Sequence, residues 1–159
     1  LIVADFDVVE PSNLNRQQYF ADQIGLLKTE ALLHTLTRIN PYGNYETHAV
    51  RLTRDNIPLL FNKCDIIVEA FDVETEKAML VETVLKHFPH TPVVAASGMA
   101  GHSSANTIRT RKIGDRLYIC GDAISASEPG QGLMAPRVGV AAHHQATLVL
   151  QLLLGEADV

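Results

Sequence analysis

Short apolar segments alternate with longer segments of helical spacing along this chain, and no other feature restricts its possible folds as much. The segments with a strand pattern are residues 1–5, 45–50, 65–70, 92–97, and a hairpin of 107–111 with 116–120. The segments with a helical pattern are residues 27–39, 55–61, Glu74–His87 and Ala135–Leu154. Because strands separated by helices form βαβ units, the pattern predicts an α/β fold with a mostly parallel sheet.

Composition narrows the class of protein further. The chain has 159 residues, of which 47% are hydrophobic, so it can bury the core of one domain. Its formal net charge of −5 disfavours a nucleic-acid-binding surface, which is normally basic. No apolar run reaches the ~20 residues of a membrane-spanning helix. Two cysteines far apart in sequence, Cys64 and Cys120, are typical of a reduced, cytoplasmic protein.

The first 28 residues carry the densest set of candidate site residues. An apolar strand is followed by two carboxylates, Asp5 and Asp7, and a polar turn then leads to Arg16. We expect a helix from about Gln17 that contains Lys28 and bends near a glycine at position 25. In a Rossmann-like sheet an acid at a strand end binds ribose hydroxyls, while cations bind phosphates. The segment is therefore interpreted as part of a nucleotide site.

Residues 5–20, DFDVVEPSNLNRQQYF, resemble the strand-to-helix segment of the ThiF/MoeB/HesA family, adenylating enzymes related to ubiquitin activators. Four further segments match in order: GLLK at 25–28, RINP at 38–41, EAFD at 69–72 and GLMAP at 132–136. The resemblance covers nearly the whole chain. It is closest to the short ThiF-like branch, whose members resemble activators of ThiS, the sulfur-carrier protein of thiamine synthesis.

The resemblance implies a Rossmann-like sheet with flanking helices and a single adenylating domain over residues 1–159. It also implies ATP-dependent adenylation of the C-terminal glycine of a small ubiquitin-like sulfur carrier that ends in Gly-Gly. The resemblance further implies that Mg²⁺ is a cofactor of this reaction and that the protein is a homodimer. A molybdopterin-type carrier and a catalytically silent carrier-binding scaffold remain alternatives. A nicotinamide-dependent oxidoreductase is disfavoured, because no Tyr/Lys or His/Asp catalytic couple is evident.

The resemblance also assigns roles to individual residues. Arg16 and Lys28 would contact the ATP phosphates, Asp5 would take the ribose, and Asp72 would be the essential acid that holds Mg²⁺ through ATP. Those three charged residues, Arg16, Lys28 and Asp72, form the catalytic set. The nucleotide-binding set is Asp5, Asp7, Asn13, Arg16, Gln17, Lys28, Asp72 and Lys77.

Two structural alternatives stay open at this point. Arg16 could form a surface ion pair with Asp22 or Glu30, as many exposed arginines do. Asp72 could serve as the N-cap of the helix that begins near Glu74, because Asp favours that position.

The sequence departs from the family in three respects. No G-x-G-x-x-G occurs, although in the family a first strand, a glycine-rich loop and a first helix precede a segment like residues 1–9. We therefore expect residues 1–159 to be N-terminally incomplete and to bind ATP poorly by themselves.

MoeB-like members bind structural zinc through paired cysteines, but Cys120 has no nearby partner, so zinc is not expected. Ser127-Glu128-Pro129 stands where some relatives place a reactive cysteine, which makes a thioester or persulfide step there unexpected. Both thiols are expected to be buried and structural.

Overall fold

A computed structural model of the chain describes residues 1–129 and 131–159. It contains two compact units, an N-terminal unit, Leu1–Leu52, and a C-terminal unit, Thr53–Val159. The N-terminal unit holds a parallel pair of strands, β1 (Ile2–Ala4) and β2 (Glu46–His48), connected through helix α1 (Lys28–Ile39). This is the βαβ arrangement that the alternating pattern predicts.

The chain between β1 and α1 differs from the prediction. A helix from Gln17 is wrong: residues 11–13 and 21–23 form two short 3₁₀ turns instead, and α1 begins at Lys28. The chain does turn at Gly25, whose φ of +90° is a backbone conformation that favours glycine, but no helix runs into it.

The buried side chain of Gln23 gives a physical reason for this difference. Its Oε1 accepts from the Phe20 N–H at 3.0 Å, and its Nε2 donates to the Ala31 carbonyl at 3.1 Å and to Thr35 Oγ1 at 3.2 Å. These bonds satisfy buried polar groups without an i to i−4 ladder, so the segment is stable as turns. Propensity and spacing do not reveal such a contact.

The C-terminal unit contains a four-stranded sheet. Its strands are β3 (Ile67–Val68), β4 (Val93–Ala96), β5 (Arg109–Ile113) and β6 (Leu117–Gly121). They lie in the order β3-β4-β6-β5, in which β3, β4 and β6 run parallel and β5 runs antiparallel to β6. The helices of this unit are α2 (Ile57–Leu60), α3 (Glu74–His87) and α4 (Ala135–Leu154). The predicted α/β architecture with a mostly parallel sheet is confirmed.

The core of the C-terminal unit lies between the central strands and α4. All four residues of β4 are buried, as expected for a strand covered on both faces. Val94, Tyr118 and Cys120 from the sheet pack against Leu148 of α4. Helix α4 ends at Gly155, whose φ of +71° allows the left-handed C-terminal cap. In the described part of the chain, no helix is long and apolar enough to cross a membrane.

Parallel strands place their carboxyl ends at one edge of a sheet. In the C-terminal unit a polar residue directly follows each of the three parallel strands at this edge. Glu69 follows β3, Ser97 follows β4, and Asp122 follows β6. The turn after Glu69 leads through Asp72 into α3. Because open α/β sheets bind ligands at this edge, a functional site is expected there.

Candidate functional site

A carboxylate and a lysine form an ion pair close to the acidic end of β1 in the N-terminal unit. The Lys28 ammonium lies 2.8 Å from Asp7 Oδ2, and the Lys28 N–H donates to the Asp7 carbonyl at 2.9 Å. Asp5 Oδ1 accepts from the Asp7 N–H at 2.8 Å, which fixes the turn after β1. About half of the Asp7 side chain is exposed, so this ion pair adds little stability and can rearrange at low cost.

Asn13 organises the turn that precedes Arg16. It is buried, and its Oδ1 accepts from the Glu10 N–H at 2.9 Å. Its carbonyl accepts from the Arg16 N–H at 3.1 Å and from the Gln17 N–H at 2.9 Å. Asn13 therefore shapes the backbone that presents Arg16 and Gln17, both of which are half-buried.

The Arg16 guanidinium contacts neutral acceptors. Its Nη1 donates to the Ser12 carbonyl at 3.0 Å and to Asn15 Oδ1 at 2.9 Å. The structure does not show the alternative ion pair with Asp22 or Glu30. A cation held in place by neutral groups keeps its charge available for an anion, such as a phosphate.

Tyr19 is a neighbour of the acidic strand end that the sequence analysis did not single out. Burial and, to a smaller extent, the negative charges of Asp5 and Asp7 together raise the pKa of Tyr19 to about 12. The phenol therefore stays protonated and available as a hydrogen-bond donor beside two carboxylates.

Asp72 lies in the C-terminal unit, exposed, between β3 and α3. The alternative in which Asp72 caps α3 is wrong, because Val73 occupies the N-cap position and no side chain caps the helix there. The carboxylate therefore has no structural task at the start of α3. Its position at the carboxyl edge of a parallel sheet is where open α/β folds bind ligands.

Lys77 and Glu69 form an ion pair at the same edge. The Lys77 ammonium lies 2.9 Å from Glu69 Oε1 and 3.0 Å from Glu69 Oε2. The Glu69 side chain is completely buried, whereas 23% of the Lys77 side chain is exposed. The resemblance implies that Lys77 binds the nucleotide, and it gives Glu69 no role. A carboxylate in an otherwise apolar strand, DIIVEA, is the signal that could have identified it.

A second buried ion pair joins Asp122 to Arg137, with Nη2 and Oδ2 2.7 Å apart. Burial would raise the pKa of Asp122, but hydrogen bonds from Ser125 and Ile124 and the charge of Arg137 outweigh it and lower this pKa to about 2. The Arg137 Nη1 donates to the carbonyl of Ser103 at 2.9 Å. The pair ties the loop after β6 to α4. An arginine within an apolar helix was the one sequence signal of it.

Cys120 is buried in β6, as predicted, 3.6 Å from Thr110 Oγ1. Burial raises the pKa of its thiol, which keeps it protonated and a poor nucleophile. Cys64 is half-buried and precedes β3, so the prediction of a buried strand position for it is wrong. Within residues 1–129 and 131–159, no cluster of three or more His, Cys, Asp or Glu side chains could hold a metal ion.

The donor set at Asp72 suits one type of metal binding. Mg²⁺ is usually held by one or two carboxylates together with water and substrate phosphates. A single exposed carboxylate at the sheet edge fits that pattern, because the remaining ligands would come from a nucleotide and water.

Comparison with known proteins decides the family. The profile of the ThiF family matches residues 1–159. The chain belongs to the ThiF family. This ThiF-family chain is 30% identical over 161 residues to "Adenylyltransferase and sulfurtransferase UBA4" of Saccharomyces cerevisiae, covering 96% of the chain and 36% of that protein. The Candida glabrata protein of the same name is 29% identical, with the same coverage. The chain thus spans about a third of the length of the curated relatives it matches.

Solved structures agree with the family assignment at the level of fold. The tRNA N6-threonylcarbamoyladenosine dehydratase TcdA of E. coli, in complex with ATP, superposes with a TM-score of 0.85 at 17% identity, covering 98% of this chain and 75% of TcdA. E. coli MccB with AMPCPP and MccA gives 0.65 at 23% identity, covering 99% of this chain and 49% of MccB. The predicted Rossmann-like fold is confirmed.

Proposed function

We propose that this chain is the adenylating part of an enzyme that activates a small ubiquitin-like sulfur carrier ending in Gly-Gly. One observation supports this proposal above others: the ThiF family profile matches the whole of residues 1–159. Curated relatives named as adenylyltransferases align with 96% of the chain.

In the proposed reaction the carrier's C-terminal carboxylate attacks the α-phosphorus of ATP. A bond forms between a carboxylate oxygen and that phosphorus, the bond to the bridging oxygen breaks, and pyrophosphate leaves. Negative charge increases on the leaving group, so cations aimed at it lower the barrier. Arg16 and Lys28 would supply them, and Lys28 would exchange its contact with Asp7 for a phosphate oxygen. Asp5 would accept hydrogen bonds from the ribose hydroxyls.

Asp72 would hold Mg²⁺ together with the phosphates, and the ion, when bound, would neutralise phosphate charge. Asp7, Asn13 and Gln17 would support the nucleotide, as the resemblance implies. We propose a homodimer in the cytoplasm. The carrier of thiamine synthesis is the proposed substrate, and a molybdopterin-type carrier is the alternative.

ATP–pyrophosphate exchange by the full-length protein tests the proposal. Purified ThiS-type and molybdopterin-type carriers are added separately, each beside a matched control that lacks the terminal glycine. Exchange is expected with an intact carrier and not with its truncated control. Carrier binding without exchange would indicate the silent scaffold instead, and exchange that is indifferent to the terminal glycine would contradict the assigned acceptor.

Asp72→Ala is the matching test within the chain. We expect it to reduce exchange a hundredfold or more, which corresponds to about 2.7 kcal/mol of transition-state stabilisation. Its melting temperature should stay near that of wild type, because the side chain is exposed and caps no helix. Glu74→Ala, which removes an exposed acid two residues away, is the control and should retain activity. Exchange by Asp72→Ala within threefold of wild type would refute the assigned mechanism.

A further inference from the structure

The three protons of the Lys77 ammonium are all engaged by the protein. Nζ lies 2.9 Å from Glu69 Oε1, 3.0 Å from Glu69 Oε2 and 3.2 Å from the Ala96 carbonyl. An ammonium has three donors and no acceptor, so these contacts use its whole hydrogen-bonding capacity. A phosphate could bind Lys77 only after one of them is broken.

Glu69 is equally occupied. Its Oε1 also accepts from the Phe71 N–H at 2.5 Å, and its Oε2 lies 3.4 Å from the Ala96 nitrogen. Its side chain has no exposed surface. If Lys77 moved to a ligand, a buried carboxylate would lose its counter-charge, which is strongly unfavourable.

The contacts of the pair converge on the turn that carries Asp72. Glu69 directly follows β3, Ala96 ends β4, and Lys77 lies in the first turn of α3. The carbonyl of Glu69 is held in addition by the Gln145 side chain of α4, at 3.2 Å. Between these anchored points lie residues 70–73, and the Phe71 N–H bond to Glu69 fixes the backbone immediately before Asp72.

We propose that Glu69 and Lys77 are positioning residues, which hold the Asp72 carboxylate in its working orientation, and that Lys77 does not bind the nucleotide. This rests on the proposed adenylation function. The positioning role replaces the nucleotide-binding role that the resemblance gives to Lys77. A buried ion pair contributes little net stability compared with apolar residues of the same size, so holding one geometry is a better account of its presence here.

The test uses Lys77→Met and the double variant Glu69→Gln/Lys77→Met in the full-length protein. The double variant removes both charges, so it is expected to fold even where a lone buried carboxylate would prevent folding. The matched control is Glu82→Gln, which breaks the exposed pair of Glu82 with Arg54, 2.7 Å apart. Each variant is measured by ATP–pyrophosphate exchange with an intact Gly-Gly carrier, and each is also made in the Asp72→Ala background.

We expect both pair variants to lower kcat at least tenfold with the KM for ATP within threefold of wild type, while Glu82→Gln changes neither. In the Asp72→Ala background the same variants should lower kcat by less than a further twofold, because a positioning residue acts through the group it positions. Amide exchange of Phe71, which needs no activity, should accelerate at least tenfold in the pair variants.

Two results would overturn the positioning role. One is a tenfold rise in the KM for ATP at unchanged kcat, which would place Lys77 on the nucleotide. The other is a fall in kcat that is equally large when the pair variants are made in wild type and in the Asp72→Ala background. Either result leaves the proposed function standing if Asp72→Ala alone is inactive, whereas an active Asp72→Ala variant would refute that function itself.

Discussion

The buried pair of Asp122 and Arg137 predicts a specific dependence of stability on pH. The pKa of Asp122 falls from 3.8 to about 2 in the folded protein, and only 10% of its side chain is exposed. Since one pKa unit corresponds to about 1.4 kcal/mol, the charged carboxylate contributes about 2 kcal/mol to the free energy of unfolding at neutral pH.

The direction of the effect follows from the lowered pKa. Above about pH 5 the carboxylate is charged in both the folded and the unfolded chain, so the contribution is complete. As the pH falls below 3.8, the unfolded chain binds the proton first and the contribution decreases. By pH 3 about 1 kcal/mol of it should be lost, and nearly all of it below pH 2.

Urea unfolding at pH 7, 4 and 3 measures the free energy of unfolding of wild type and of Asp122→Asn, and their difference at each pH tests this contribution. At pH 7 the variant should be less stable by about 3 kcal/mol, because Arg137 stays buried without a counter-charge. That difference should shrink by about 1 kcal/mol at pH 3. Asp115→Asn, in the exposed turn between β5 and β6, is the control and should match wild type. A difference between wild type and Asp122→Asn that is constant from pH 7 to pH 3 would refute the reasoning.

Two further predictions concern the two thiols and two glycines. Cys64→Ser and Cys120→Ala variants of the full-length protein should keep pyrophosphate exchange within threefold, because the Cys120 thiol is buried with a raised pKa; a well-folded but inactive variant would contradict this. Gly121→Ala should cost more than about 2 kcal/mol in urea unfolding, because a Cβ at this φ of +144° would lie 1.7 Å from the Ser97 carbonyl oxygen. Gly114→Ala, with φ +65° and open space around it, should cost only about 1 kcal/mol, and equal losses would contradict the steric argument.

Local pattern was sufficient for the two long helices of the C-terminal unit. The bounds predicted for Glu74–His87 and Ala135–Leu154 coincide with α3 and α4. Helical bonds join residues four apart, so the information that starts and stops a helix lies mostly within the helix and its flanks.

Strand bounds were less predictable because they depend on the partner strand. Residues 65–70 have a strand pattern, but only Ile67–Val68 form β3, because its ladder with β4 pairs only these two residues. The predicted hairpin formed with both strands shifted, as Arg109–Ile113 and Leu117–Gly121. A strand's ends are set by where a neighbour offers hydrogen bonds, and one chain segment does not contain that information.

For the candidate site, the sequence by itself determined which charged residues are present and at which ends of strands they stand. Asp5 and Asp7 could be grouped from sequence because they directly follow one strand, whereas the contact of Lys28 with Asp7 closes a connection of more than twenty residues between β1 and α1. The Glu69–Lys77 and Asp122–Arg137 pairs were decided only by tertiary structure. A buried charge needs a partner placed by several elements at once, since desolvation is offset only at close distance, and that placement exists only after the sheet and helices have assembled.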